Sequence, residues 1–266
     1  AGGTFTPGAG TIILSGNGET LTQKADGSNN FFNLTIAAGT KTAGSDLNVD
    51  GQTNINGKLA LDAFNADFAA TQQCNIPGEL EFSSSTVVCN GSLDATGGAI
   101  TFTGGGTLKI SGGSPNLGVL TPSTGTVVYD FAGPGSQNIF ITAYNNLEID
   151  GSGDKIGPAG ILVVGGNLEV KNSDLTFAAN NTTLDLTGNF LISAGTFSAG
   201  ISANHDVDGN FTVNGGTVLL GGSTIDVNGN WNDLGGTLTA GTSTVSLSGG
   251  IGTTISTANA NSFNNL

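Results

Sequence analysis

Hydrophobic and polar residues alternate along this chain in runs of only three to five positions, and each run breaks at glycine or asparagine. Leu184-Asp185-Leu186-Thr187-Gly188 and Ile225-Asp226-Val227-Asn228-Gly229 are typical. A large apolar residue follows Gly-Asn four times, in GNLEV from Gly166, GNFLI from Gly188, GNFTV from Gly209 and GNWND from Gly229, at spacings of 22, 21 and 20 residues. After each of the last three comes a small-residue turn and threonine: SAGTFSAG, NGGTVLLGG and LGGTLTAG. Period-two alternation turns one face of a short strand inward. Three such strands and three corners fill one coil of a parallel β-helix. Glycine and asparagine suit the corners because both tolerate positive φ. Asparagines recurring at one corner stack into an amide ladder. Phe190, Phe211 and Trp231 share the repeat and should stack in the core, and Phe32, Tyr144 and Phe263 should do the same. No segment sustains a helical period. The expected fold is an all-β, right-handed parallel β-helix with 20–22 residues per coil and roughly 12 coils.

A longer repeat lies above the coil. GAGTIILSG (8–16) leads to FFNLTI (31–36), STGTVVYDFAG (123–133) to YNNLEI (144–149), and AGTSTVSLSG (240–249) to FNNL (263–266). Their shared leucines, Leu34, Leu147 and Leu266, are 113 and 119 residues apart. Residues 1–266 therefore read as one β-helix domain: two long repeats of roughly 115 residues and part of a third. Segments 63–77 and 112–123 break the pattern and read as coil insertions. These short-strand, Gly/Asn/Thr-rich coils resemble extracellular parallel β-helix proteins of bacteria, the filamentous-haemagglutinin-type adhesins and autotransporter passengers. The FNNLTI-type element is similar to repeats of large bacterial surface proteins. The resemblance implies architecture and an extracellular setting rather than a ligand.

Glycine accounts for 45 of 266 residues, a level that elsewhere signals linker. Leu, Ile, Val and Phe total 69, however, and are spread evenly, so a core is affordable. Six lysines, no arginine and a formal charge of -14 argue against nucleic acid and against anionic membrane surfaces. No apolar run approaches the length of a membrane-spanning helix. The opening Ala1-Gly2-Gly3-Thr4 has the look of a mature end after processing. Low charge with abundant Thr, Ser, Asn and Gly points to a secreted, cell-surface protein.

Candidate chemistry is sparse. Lysines at 24, 41, 58, 109, 155 and 171 are scattered, which makes a polysaccharide-lyase constellation hard to assemble. Asp185, Asp206 and Asp226 recur at coil spacing, with Asp208 two positions beyond Asp206; they form either an outer solvated column or a carboxylate pair for sugar hydrolysis or a cation. DGSGDK places Asp150 and Asp154 on a glycine-rich loop, but Lys155 takes the calcium-loop glycine position. Asp150, Asp154, Asp206 and Asp226 are thus weak metal candidates, and no metal or other cofactor is expected. His205, the one histidine, reads as a strand residue at a coil edge. Cys74 and Cys89 fit a disulfide in an exported protein, the alternative being two stacked thiols in the core.

The functional expectation follows from the edges. A β-helix leaves unpaired backbone at both ends unless these are capped or paired. GGTFTPGAGTIILSG from Gly2 resembles GGTLTAGTSTVSLSG from Gly235, and neither end shows a helix or a charged capping sequence. Gly3, Thr4, Phe5, Ile12 and Leu14 on one side, and Phe263, Asn264, Asn265 and Leu266 on the other, are the expected subunit interface. The reading is a non-enzymatic structural protein whose partner is itself, assembling head to tail and perhaps donating a strand, with surface glycans as a second partner. The alternatives are a carbohydrate-binding or carbohydrate-cleaving β-helix and a fragment of a longer adhesin.

Overall fold

Short parallel strands carry all the regular structure. The computed structural model describes residues 8–23, 30–68, 72–250, 252–257 and 261–266, and among them there is no helix. The chain is a parallel β-solenoid of about 12 turns. It divides into two compact units, Ala1–Val127 and Val128–Leu266. That border falls inside the strand Thr126–Tyr129, where the second long repeat begins.

In the first unit, each coil contributes a strand to each of three faces. Thr11–Leu14, Asn33–Ile36, Thr53–Ile55, Cys74–Asn75 and Leu93–Asp94 stack on one face. Glu19–Leu21, Thr40–Ala43, Lys58–Ala60, Glu79–Phe82, Ala99–Phe102 and Val119–Thr121 form the second. Leu47–Val49, Ala66–Phe68, Thr86–Cys89 and Thr107–Ile110 build the third. Alternation sends Leu34, Ile36, Ile55, Leu80, Phe82, Val87 and Ile110 into the core, all fully buried. The segments read as insertions are ordinary coils: Leu47, Ala66 and Val87 are in register, as are Thr53, Cys74 and Leu93. Val119 likewise pairs with Ala99. Their inward residues keep the alternation, while unusual corner residues hide the period from sequence.

The second unit is more regular. One face carries Asn146–Ile149, Leu168–Val170, Phe190–Ile192, Phe211–Val213, Trp231–Asp233 and Ile255–Thr257. The next carries Ser136–Asn138, Asp154–Ile156, Asp174–Thr176, Thr196–Ser198, Thr217–Leu219 and Thr237–Thr239. The last carries Ala143–Tyr144, Ile161–Val164, Thr183–Leu186, Asn204–Val207, Thr224–Val227 and Thr244–Leu247. Phe190, Phe211 and Trp231 are register partners with no exposure, their ring centroids 5.0 and 4.3 Å apart. The Phe211 and Trp231 planes are 7° from parallel, and Phe263 meets Trp231 edge-on at 5.2 Å. Each buried ring contributes about 1.5–3 kcal/mol through the area it removes from water.

The asparagine ladder runs along one corner. Oδ1 of Asn146, Asn167, Asn189 and Asn210 accepts the backbone N–H of Asn167, Asn189, Asn210 and Asn230 in turn, at 2.8–2.9 Å. Asn230 Oδ1 closes the series on Thr254 N–H at 2.9 Å. Glycine precedes each later asparagine because the corners nearly touch: a Cβ at Gly209 would lie under 3 Å from the carbonyl of Gly188.

The long repeat is structural too. Thr11 pairs with Asn33 and Thr244 with Asn265 in the same register. Ala37 N–H donates to Leu14 O and Asp150 N–H to Tyr129 O, both at 2.8 Å. Within the second unit, the Asn146 copy starts on the aromatic face, whereas the Thr244 copy starts on the face of Thr224–Val227. One long repeat is therefore not a whole number of coils.

Candidate assembly edge and aspartate groove

The edge residues expected from sequence divide three ways. Gly3, Thr4 and Phe5 lie outside the described residues. Ile12 and Leu14 are half-buried on the strand Thr11–Leu14, which pairs on one side only among the described residues, with Asn33–Ile36. At the other edge Val245 N–H donates to Asn265 O at 3.0 Å. Asn265 Nδ2 reaches Thr244 Oγ1 at 3.5 Å, and Asn264 Nδ2 reaches Ser243 O at 3.2 Å. Leu266 is 68% exposed, where its repeat-mates Leu34 and Leu147 are 0% and 1% exposed. Of the other long-repeat aromatics, Tyr144 is buried with its hydroxyl 2.8 Å from that of Tyr129. Phe32 departs from the expected core position and is 37% exposed, because the strand begins after it and alternation sends Leu34 inward.

Asp185, Asp206 and Asp226 are register partners on the outer side of their face. They border a shallow groove of about 430 Å³ whose other wall is Ile161, Thr183, Asn204 and Thr224. Partial burial and the neighbouring carboxylates of Asp208, Asp226 and Asp185 push the Asp206 carboxyl above the usual range. Beneath the groove, His205 corrects the coil-edge expectation. It is buried because inward positions of Asn204–Val207 fall at 205 and 207. Leu184 N–H donates to His205 Nδ1 at 3.2 Å, and Nε2 sits 2.9 Å from Ala199 O. That pairing selects the neutral Nε2–H ring. Burial lowers its pKa to about 4, although the Ala199 carbonyl acts the other way.

The loop of Asp150 and Asp154 is organised around an ammonium. Lys155 Nζ donates to Gly153 O at 2.6 Å, Ser173 Oγ at 3.0 Å and Phe131 O at 3.1 Å. Asp150 Oδ1 is engaged by Gly151 N–H and Asn172 Nδ2. Among the described residues, no three His, Cys, Asp or Glu side chains converge as metal ligands. Lys41 is equally buried, donating to Gly16 O and to Ala38 O at 2.9 Å, with Glu19 at 3.1 Å. The lysines read as scattered thus include two core residues. Their 114-residue separation, close to the 113 of Leu34 and Leu147, was the available signal.

Cys74 and Cys89 are free thiols in this structure, both buried, with Sγ atoms 3.0 Å apart. The stacked-thiol alternative describes this arrangement, and the contact brings the sulfurs of the expected disulfide together. Contact with Cys74 and burial push the Cys89 thiol up, so it keeps its proton. Comparison with protein-family models, with curated proteins and with solved structures gives no match.

Proposed function

We propose that this protein is a structural, extracellular β-solenoid that stacks head to tail into a surface filament or fibre through the open edges of its coils. The observation that carries the reading is the edge at Leu266. A leucine that is fully covered in two earlier repeat copies is exposed in the third, and the adjoining backbone follows the same register. The strand Thr11–Leu14 offers a second edge paired on one side only among the described residues. Parallel edges of one chain are complementary by translation, which generates open polymers rather than closed dimers. Low charge supports the reading, because stacked copies of a charged position would repel. Electron microscopy and light scattering over a concentration series test it: fibres growing with concentration are expected. A chain that remains monomeric at high concentration overturns the proposal.

A carbohydrate-directed role is the second reading, favoured by the groove beside Asp206. Neighbouring coils set its carboxylates at about 4.8 Å spacing, close to the roughly 5 Å of a retaining glycosidase pair. Asp206→Asn should then abolish polysaccharide binding or cleavage with folding intact; unchanged binding removes this reading. An adhesin stalk of which these residues form a part is distinguished by the intact mass of the native chain.

A further inference from the structure

The hydrogen-bond parity of the two edges fixes how they would meet. Asn33 N–H donates to Gly10 O and Ala37 N–H to Leu14 O, so the carbonyls of Gly10 and Leu14 face their own coil. In a parallel strand the intervening backbone groups point the opposite way. Those of Thr11 and Ile13 therefore face the open side, where Ile13 is 65% exposed. Opposite them, Asn265 uses its carbonyl on Val245. The backbone of Leu266 then points outward by the same alternation.

The coils already in place show what such an edge receives. Leu34 N–H donates to Gln52 O at 3.0 Å, and Gln52 N–H donates to Asn33 Oδ1 at 2.8 Å. Leu147 N–H donates to Asn167 O, and Asn167 N–H to Asn146 Oδ1, both at 2.9 Å. Both copies thus use one rule: the residue opposite the asparagine gives its N–H to the amide oxygen and its carbonyl to the leucine.

We infer that the Asn265–Leu266 edge receives the strand Thr11–Leu14 of a second copy of this chain, with Thr11 opposite Asn265 and Ile12 opposite Leu266. In that register Thr11 N–H meets Asn265 Oδ1, Leu266 N–H meets Thr11 O, and Ile13 N–H meets Leu266 O. Ile12 covers Leu266 as Thr53 covers Leu34 and Leu168 covers Leu147. The outer column continues Thr244, Asn265, Thr11, Asn33, alternating across the junction as it does within each copy. A shift by one residue would turn Ile12 outward, and a shift by two would leave Leu266 against Leu14 and Asn265 against Ile13.

The inference rests on the end-to-end reading, and its test separates the two. Thr11→Cys copies are mixed with Asn265→Cys copies and oxidised, and the same is done with Ile13→Cys and Asn265→Cys. Cross-linked pairs are expected when Thr11→Cys and Asn265→Cys are both present, and not with Ile13→Cys. If assembly is seen by light scattering but the Ile13→Cys pair links instead, or neither links, the register is wrong while stacking stands. If neither links and scattering shows monomer, stacking itself fails and the register fails with it.

Discussion

Lys155 holds, in the second copy of the long repeat, the buried place that Lys41 holds in the first. Both ammonium groups are sealed from solvent. Each donates to a carbonyl of the preceding coil, Gly16 or Phe131, and to one in its own turn, Ala38 or Gly153. A tethered cation here gathers the dipoles of corners that have no strand partner.

Lys155→Ala should therefore cost on the order of 3 kcal/mol, since it leaves a cavity and strands carbonyls without a donor. Lys155→Met, which fills the space, should cost less. Burial lowers the Lys155 pKa to about 8, with Asp130, Asp150 and Asp154 acting against the shift. The unfolded chain, near the ordinary 10.5, binds the extra proton between these values, so this residue's contribution to stability rises with pH across that window. Urea unfolding as a function of pH should show the rise in the parent protein and lose it in Lys155→Met.

Acid acts through His205. Its folded pKa of about 4 lies below the ordinary 6.5, so the unfolded state binds the proton first as pH falls. The neutral ring's stabilisation is complete above 6.5 and is lost as pH falls toward 4, by about 3 kcal/mol in all. Asp206, whose carboxyl is raised, works in the opposite sense because protonation relieves the column. The difference between the parent and His205→Phe in denaturant titrations isolates the histidine: the variant should lack this acid-dependent loss.

The ladder corner offers a paired test. Asn189→Ala removes the acceptor for Asn210 N–H and should cost about 1 kcal/mol. Gly209→Ala should cost about 1–3 kcal/mol because the methyl enters the Gly188 carbonyl. Asn189→Ala combined with Asn210→Ala should depart from additivity, since the two share hydrogen bonds. Thermal or chemical denaturation of the three variants measures each value.

Buried, protonated thiols should resist alkylation in the folded protein. Reduced chain should yield two reactive thiols only on unfolding. Prolonged oxidation should join Cys74 to Cys89 within one chain, lower the mass by two hydrogens and add about 3 kcal/mol for a loop of this length. Interchain dimers instead of this internal bridge would contradict the contact between the sulfurs.

Sequence carried the coil because stacking repeats one corner and one inward column, so Asn167, Asn189 and Asn210, or Phe190, Phe211 and Trp231, announce themselves by spacing. It missed Lys41 and Lys155 because a lysine is read as solvated unless its surroundings are known, and their carbonyl acceptors carry no side-chain signature. His205 was misplaced for a related reason: alternation assigned it inward, yet its polarity argued for an edge. Residues 63–77 were obscured because alternation survives there only at Ala66, Phe68, Cys74 and Ile76, between corners without Gly-Asn.

The ladder from Asn146 to Asn230 has an arrow. Every amide oxygen along it accepts from the coil that follows and none from the coil before. Turning one molecule end over end against another would set like groups face to face, oxygen toward oxygen. Such a corner admits growth by repetition and resists mirror-like pairing, so a thread built on it would have chemically distinct tips, one ending in acceptors and the other in donors.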